Sequence, residues 1–268
     1  MSTLGSFTLP PYFLYGIGSA FGGTVAIFYG SKNFLIPKLT SLKERFDKLS
    51  SKDQNMFLST FPSMAHAIVQ SFWVPAKLAL GYSALHNANR VTHFDSGAPA
   101  YCSGVFVGYL LADFALLGPK DLGLMYTVHH VSAMAIWTWS ANCGAMQWYA
   151  SALQFCELST IPLNLRQWIL TSGYDSGSPL AVGVSLAFMA SFFVVRVLPL
   201  PVLLWQWCNG DYTKLASETT TALALASTAS LVIHACLQSF WFSLMVRKLL
   251  KMLKGGSKKE DDKSKKAD

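Results

Sequence analysis

Two adjacent histidines, His129 and His130, and two carboxylates, Asp113 and Glu157, lie in stretches of sequence that are otherwise apolar. Placing an ionised side chain inside a bilayer costs about 2.5–3.5 kcal/mol even on the mildest scale, so such residues mark sites. An imidazole beside a carboxylate has its tautomer set by that partner and can act as a general base or nucleophile. Neighbouring residues on a helix point about 100° apart, so one histidine of the pair faces a cavity while the other packs or supports it. Histidine and carboxylate also bind zinc or iron. The usual helical spacings for a metal (His at i and i+4, or Glu-x-x-His) do not occur, and neither metal nor other cofactor is expected. The remaining alternative is a purely structural histidine–carboxylate network.

Polar residues recur at helical spacing in three of the apolar stretches. Ser63, His66, Gln70 and Lys77 form one set; Gln147, Ser151, Gln154, Glu157, Thr160 and Asn164 a second; Ser227, Ser230, His234 and Gln238 a third. Each set shares one helix face, and such faces turn toward a cavity or toward one another. Hydrogen bonding between helices accounts for Ser, Thr and Gln but less well for His and Glu. His66, Gln70, Thr160, Asn164, Arg166 and His234 are therefore the candidates for holding the polar part of a lipid, with His129, His130, Asp113 and Glu157 as the candidate catalytic group.

The elements that must position these residues are membrane helices. A crossing takes about 20 mostly apolar residues, and seven segments qualify: 11–30, 58–82, 100–118, 124–141, 143–165, 180–206 and 219–246. Pro75, Pro199 and Pro201 predict kinks in the second and sixth, and the break between the fourth and fifth rests on Asn142 and Gly144. Basic residues gather in loop 31–57 (Lys32, Lys38, Lys43, Arg45, Lys48, Lys52) and after the last segment, from Arg247 to Lys266. Lys120 and Arg166 fall on the same side, and only Arg90 and Lys214 oppose them. The positive-inside rule makes that side the cytosol, with the N-terminus lumenal and the C-terminus cytosolic. At the helical rise, Asp113, His129 and His130 then sit about 8–10 Å inside the cytosolic boundary. His66 and Glu157 fall within a turn of that depth, and His234 lies deeper. Lys77 and Arg196 count nearer the lumenal end, where long side chains snorkel, and are expected to be structural.

The totals agree. Of the residues, 52% are hydrophobic and 13% charged, against about a quarter charged in soluble domains. The net charge of +7 is concentrated in one loop and a tail and not spread over a folded surface, so nucleic acid is not an expected partner. Cys102, Cys143, Cys156, Cys208 and Cys236 show no CxxC or zinc spacing and read as small apolar helix residues. The alternative is a lumenal disulfide among Cys102, Cys143 and Cys208. Residues 1–54 are expected to form a first helix and basic cytosolic loop, 55–252 the main membrane domain, and 253–268 a disordered basic tail. Lys265-Lys266-Ala267-Asp268 resembles a cytosolic dilysine retrieval signal of the endoplasmic reticulum.

Several runs together resemble the TLC-domain family: Ser63-Met64-Ala65-His66-Ala67, Gly108-Tyr109-Leu110-Leu111-Ala112-Asp113, Tyr126-Thr127-Val128-His129-His130-Val131-Ser132 and Glu157-Leu158-Ser159-Thr160-Ile161-Pro162-Leu163-Asn164-Leu165-Arg166. Arg196 before Pro199 and the closing Gln238-Ser239-Phe240-Trp241-Phe242 belong to the same pattern, which covers about residues 55 to 252. The resemblance implies an all-α multi-pass membrane protein of about seven transmembrane helices, six of them forming a TLC-type helical barrel. The family includes ceramide synthases, which join an acyl-CoA to a sphingoid base and whose paired catalytic histidines match His129 and His130. Ceramide synthases follow the pair with a His-Asp-x-x-Asp motif, whereas here Gln154-Phe155-Cys156-Glu157-Leu158-Ser159-Thr160 holds a single Glu. Other members are implicated in lipid homeostasis, membrane composition or protein handling at the endoplasmic reticulum. The expected function is therefore lipid homeostasis through non-catalytic binding or regulation of membrane lipid in that membrane. The alternative is an acyl-CoA-dependent acyltransferase using the histidine pair. The expected partners are the bilayer and a membrane lipid or fatty acyl chain, with acyl-CoA on the enzymatic alternative.

Overall fold

A computed structural model describes residues 9–80 and 97–264. The side chains of residues 73–80, 97–99, 147, 151 and 251–264 are outside that description, and with them Lys77 and the first two residues of the second polar set. Arg90 and the Lys265–Lys266 pair also fall outside the described residues.

Every described element is helical. Helix α1 (Pro11–Gly30) continues through a π-helical turn, Ser31–Leu35, to Lys38. The short α2 (Thr40–Phe46) leads into α3 (Ser51–Leu80) and, after residues 81–96, α4 (Gly97–Leu122). Then follow α5 (Leu124–Cys143), α6 (Gln147–Gln154) and α7 (Thr160–Thr171), the last two joined by a 3-10 turn, Phe155–Ser159. Helix α8 (Pro179–Phe192) passes through a π-helical turn, Phe193–Val197, into α9 (Leu200–Gln206). A second such turn, Trp207–Asp211, leads to α10 (Tyr212–Glu218), and α11 runs Thr221–Ser264.

Over the described residues each expected crossing falls mainly on helix, but several boundaries move. The loop expected over 31–57 is largely helical, because α1 overruns it to Lys38 and α2 fills its middle. The fifth segment starts at Gln147 and runs to Thr171, about a turn and a half beyond its expected end. The break at Asn142–Gly144 is real: Gly144 caps α5 in the left-handed region at φ 60°, and Met146 follows at φ 62°. The third segment ends where expected, at Gly118 (φ 67°) before Pro119. The sixth is interrupted by the π turn ahead of Pro199, where the missing proline N–H disturbs the α-helical ladder. Helix α11 extends to Ser264 across the stretch expected to be a tail.

Among the described residues, four helices are long and apolar enough to cross a membrane by length and composition: Pro11–Lys38, Ala100–Leu122, Pro179–Glu218 and Thr221–Leu250. The other expected crossings lie on α3, α5 and α6–α7. The chain is an all-α multi-pass membrane protein.

The contacts close the helices into a ring. Helix α3 packs on α4, α4 on α5, α5 on α11, α11 on α8 and its π turn, α8 on α7, and α7 back on α3. Chain order and ring order therefore differ, since α5 and α7 are close in sequence but are not ring neighbours. Helix α1 lies outside the ring against α4. Gly16, Gly104 and Gly108 let their backbones meet: a Cβ on Gly104 would overlap the Phe13 carbonyl, and one on Gly108 the Ile17 carbonyl. The core gathers Phe106, Trp137, Tyr149, Leu203, Trp207 and Leu223.

Toward one end of this core the fully buried Tyr149 donates its hydroxyl to the Asp211 carboxylate at 2.6 Å. Tyr149→Phe is expected to lower stability by about 1.5–3 kcal/mol, the worth of a buried hydrogen bond to a charged acceptor. Unfolding followed in a denaturing detergent series checks this, and an unchanged midpoint would show that Asp211 does not depend on the hydroxyl.

Candidate functional site

The structure assigns different roles to the two adjacent histidines. His130 is buried at 6% exposure and bonds on both ring nitrogens. Its Nδ1 lies 2.9 Å from the Tyr126 carbonyl and its Nε2 3.1 Å from Asp113 Oδ2. A carbonyl can only accept, so Nδ1 carries a proton and donates. The second proton is shared along the Nε2–Oδ2 contact, and whichever atom holds it, no lone pair of His130 is left for a substrate. The residue four earlier on α5 thus supplies one anchor and α4 supplies the other. His129, one step round the helix, instead faces the space inside the ring.

That space is a cavity of about 30 Å³, lined by His129, Trp137, Glu157, Arg196, Ser230 and His234 among others. It has room for about two waters. His129 and His234 approach with ring centroids 6.4 Å apart, and Trp241 packs its edge against His129 at 5.8 Å. The Nε2 of His234 and the indole N–H of Trp137 are buried without a hydrogen-bond partner among the described residues.

Opposite them, Glu157 sits on the 3-10 turn and Arg196 on the π turn. Arg196 Nη2 lies 3.8 Å from Glu157 Oε1, with 10% and 14% of the two side chains exposed. Arg196 also donates from Nε to Ser159 Oγ (2.7 Å) and from Nη2 to Thr160 Oγ1 (3.1 Å). Thr160 in turn donates to Glu157 Oε2 at 3.0 Å. The expectation that Arg196 snorkels as a structural residue is therefore corrected. The extra residue of the π turn re-aims its guanidinium into the ring, where a carboxylate compensates the charge. The sequence signal for it was an unmatched carboxylate and an unmatched cation, both inside apolar segments. Counting each from its own helix end assigned them to different depths.

The other candidates divide. His66 stacks on Tyr109 at 4.0 Å between centroids and meets Phe106, which lines the cavity, at 5.8 Å, but does not itself line it. Gln70 is 1% exposed with neither amide atom hydrogen-bonded among the described residues. Asn164 donates to Ser63 at 3.0 Å and ties α7 to α3. Arg166 donates to Ser185 at 2.9 Å between α7 and α8, away from the cavity lining. So His129, Glu157 and His234 line one cavity, Asp113 and His130 stand behind it, Thr160 braces it, and Asn164 and Arg166 hold helices together. All five cysteines are thiols, so the disulfide alternative does not form here. Among the described residues, no group of three His, Cys, Asp or Glu side chains could hold a metal ion.

A ring of helices enclosing a paired histidine, its carboxylate and a buried Glu–Arg pair defines a class of multi-pass membrane protein with a polar intramembrane site. The family model of the TLC domain matches residues 56–247, and the chain belongs to the TLC-domain family. It is similar to TLC domain-containing protein 4-B of Danio rerio, with 24% identity over 234 residues, covering 86% of this chain and 88% of that protein. No solved structure matches. Helix α1 lies outside the matched region.

Proposed function

We propose that this protein acts in lipid homeostasis in the endoplasmic reticulum membrane, binding or regulating membrane lipid without transforming it. On this reading it crosses the bilayer seven times, with a lumenal N-terminus and cytosolic C-terminus. The positive-inside distribution supports the orientation, and the resemblance to family members at that membrane supports the location. The observation that carries the non-catalytic reading is the double commitment of His130. With Nδ1 on the Tyr126 carbonyl and Nε2 on Asp113, the pair cannot work jointly as base and nucleophile. The small cavity also leaves no space for a CoA thioester beside His129.

Cells lacking the protein are expected to show altered membrane lipid composition, and the variant with alanine at both His129 and His130 is expected to restore it. Failure of that variant to restore composition, while still reaching the membrane at normal abundance, would overturn the non-catalytic reading.

One observation favours the acyltransferase as second reading: His129 faces the cavity and the His130–Asp113 pair is fixed behind it. Acyl-CoA and a panel of amine and alcohol acceptors test it with purified protein. On this second reading His129→Ala should lower turnover at least about 100-fold, the usual contribution of a general base. Absence of transfer by the unaltered protein removes the reading.

A further inference from the structure

Outside the ring, an open apolar cleft of about 360 Å³ lies between α6 with its 3-10 turn and the π turn after α8. It is lined by Trp148, Ala152, Phe155, Val194, Val195 and Pro199. That volume is in the range of small-molecule sites. Val194 is 54% exposed on a surface of the sixth crossing that is apolar around it, with Phe193 and Leu198 also exposed, so the cleft opens toward the hydrocarbon of the bilayer. Cleft and cavity share a wall. Phe155 and Val195 face out into the cleft, while their chain neighbours Cys156, Glu157 and Arg196 face in.

The wall is built from two segments that are not α-helical, the 3-10 turn Phe155–Ser159 and the π turn Phe193–Val197. Pro199 has no N–H to return to the Val195 carbonyl as an α-helix would. That carbonyl instead accepts the Cys156 thiol at 3.4 Å, the link that spans the wall. A thiol is a weak donor, so the contact parts easily. Just inside, the Trp137 indole N–H and His234 Nε2 have no hydrogen-bond partner among the described residues, and Trp137 is only 8% exposed. Indole can only donate, so whatever meets it must offer an acceptor.

We propose that the ligand is a long-chain fatty acid that enters sideways from the bilayer. Its chain lies in the outer cleft and its carboxyl passes the Cys156–Val195 link to meet Trp137, His234 and Arg196. The proposal rests on the lipid-binding reading above and narrows its ligand. Size selects the headgroup: a cavity for about two waters takes the two oxygens of a carboxyl, not a phosphodiester headgroup or CoA. A carboxyl also accepts from Trp137 and from Arg196 at once, which a single hydroxyl oxygen does less well.

The test uses the full chain in phosphatidylcholine nanodiscs and a fatty acid bearing a diazirine in its chain and a terminal alkyne. Photolabelling should concentrate on Phe155 and Val194–Val195, and free palmitic acid should compete while palmitoyl-CoA and added phosphatidylcholine do not. Ala152→Trp adds bulk to the lining of the cleft and should cut labelling about tenfold or more, the factor for losing a small pocket's apolar contact. Trp137→Phe keeps the ring and removes the donor, and should raise the half-labelling concentration about fivefold to tenfold. Both variants are scored only on protein with unaltered elution and unfolding midpoint. Labelling spread evenly over the outer helix faces, or competition by palmitoyl-CoA equal to that of the free acid, overturns the proposal. Co-purified phospholipid with no fatty-acid labelling overturns this proposal alone. Absence of any bound lipid removes the lipid-binding reading with it.

Discussion

Replacing Arg196 with methionine is expected to destabilise the protein by about 3–5 kcal/mol, the cost of leaving a buried carboxylate without its partner. Glu157 is 14% exposed in its side chain and its charge is met by Arg196 at 3.8 Å. The Thr160 hydroxyl donates to the other carboxylate oxygen but brings no charge. Removing the guanidinium also takes away the donor to the Ser159 and Thr160 hydroxyls, which keep their own bonds to the Cys156 carbonyl and to Glu157. Reversible unfolding in mixed detergent micelles measures the loss. The decisive comparison is the double variant Arg196→Met with Glu157→Met. A buried ion pair replaced as a unit by apolar side chains is often neutral, so the double variant should recover most of the stability. Equal instability of the single and double variants would show that Arg196 acts by packing and not by compensating Glu157. The pair also bears on function, because both residues line the cavity. A double variant that folds but no longer binds lipid would separate the two roles.

The second large effect is expected at the seam between α1 and α4. Gly104→Leu should cost about 3 kcal/mol, the upper end for overpacking, because the obstruction is the Phe13 backbone carbonyl and not a side chain that can swing away. Gly22→Leu, at a position on α1 with open space around a Cβ, is the matched control and should leave the unfolding midpoint nearly unchanged. Cysteine cross-linking between α1 and α4 in the membrane reads the same outcome directly: the contact should fall in Gly104→Leu and persist in the control. Retention of the full cross-link in Gly104→Leu would mean that α1 is not held by close backbone approach. Since α1 lies outside the ring and beyond the matched domain, its displacement should leave the His130–Asp113 pair in place.

Much of the helical framework was legible in the chain. Long apolar runs have to be helices because a bilayer offers backbone groups no partner but their own chain. Gly118 and Gly144 marked two boundaries closely, since each adopts a left-handed conformation that other residues avoid. The ends at Lys38 and Thr171 were missed because polar residues near the membrane surface continue a helix as readily as they end it, and hydropathy does not register them.

For the polar residues, the sequence by itself determined that histidines and carboxylates from several helices must be sheltered from lipid, because their cost in hydrocarbon demands partners. It also determined that only one of His129 and His130 could face inward, through the helical angle between them. Which one, and which partner each carboxylate takes, was decided only by the tertiary structure. Chain order places the fourth and fifth crossings side by side, but the ring sets α11 beside α5, bringing His234 and Trp241 to His129. Depth counted along ideal helices separated Arg196 from Glu157. A 3-10 turn and a π turn, neither visible in a hydrophobic pattern, change rise and facing enough to join them. Pairing between distant segments depends on these local departures and on ring order, and both are properties of the packed assembly.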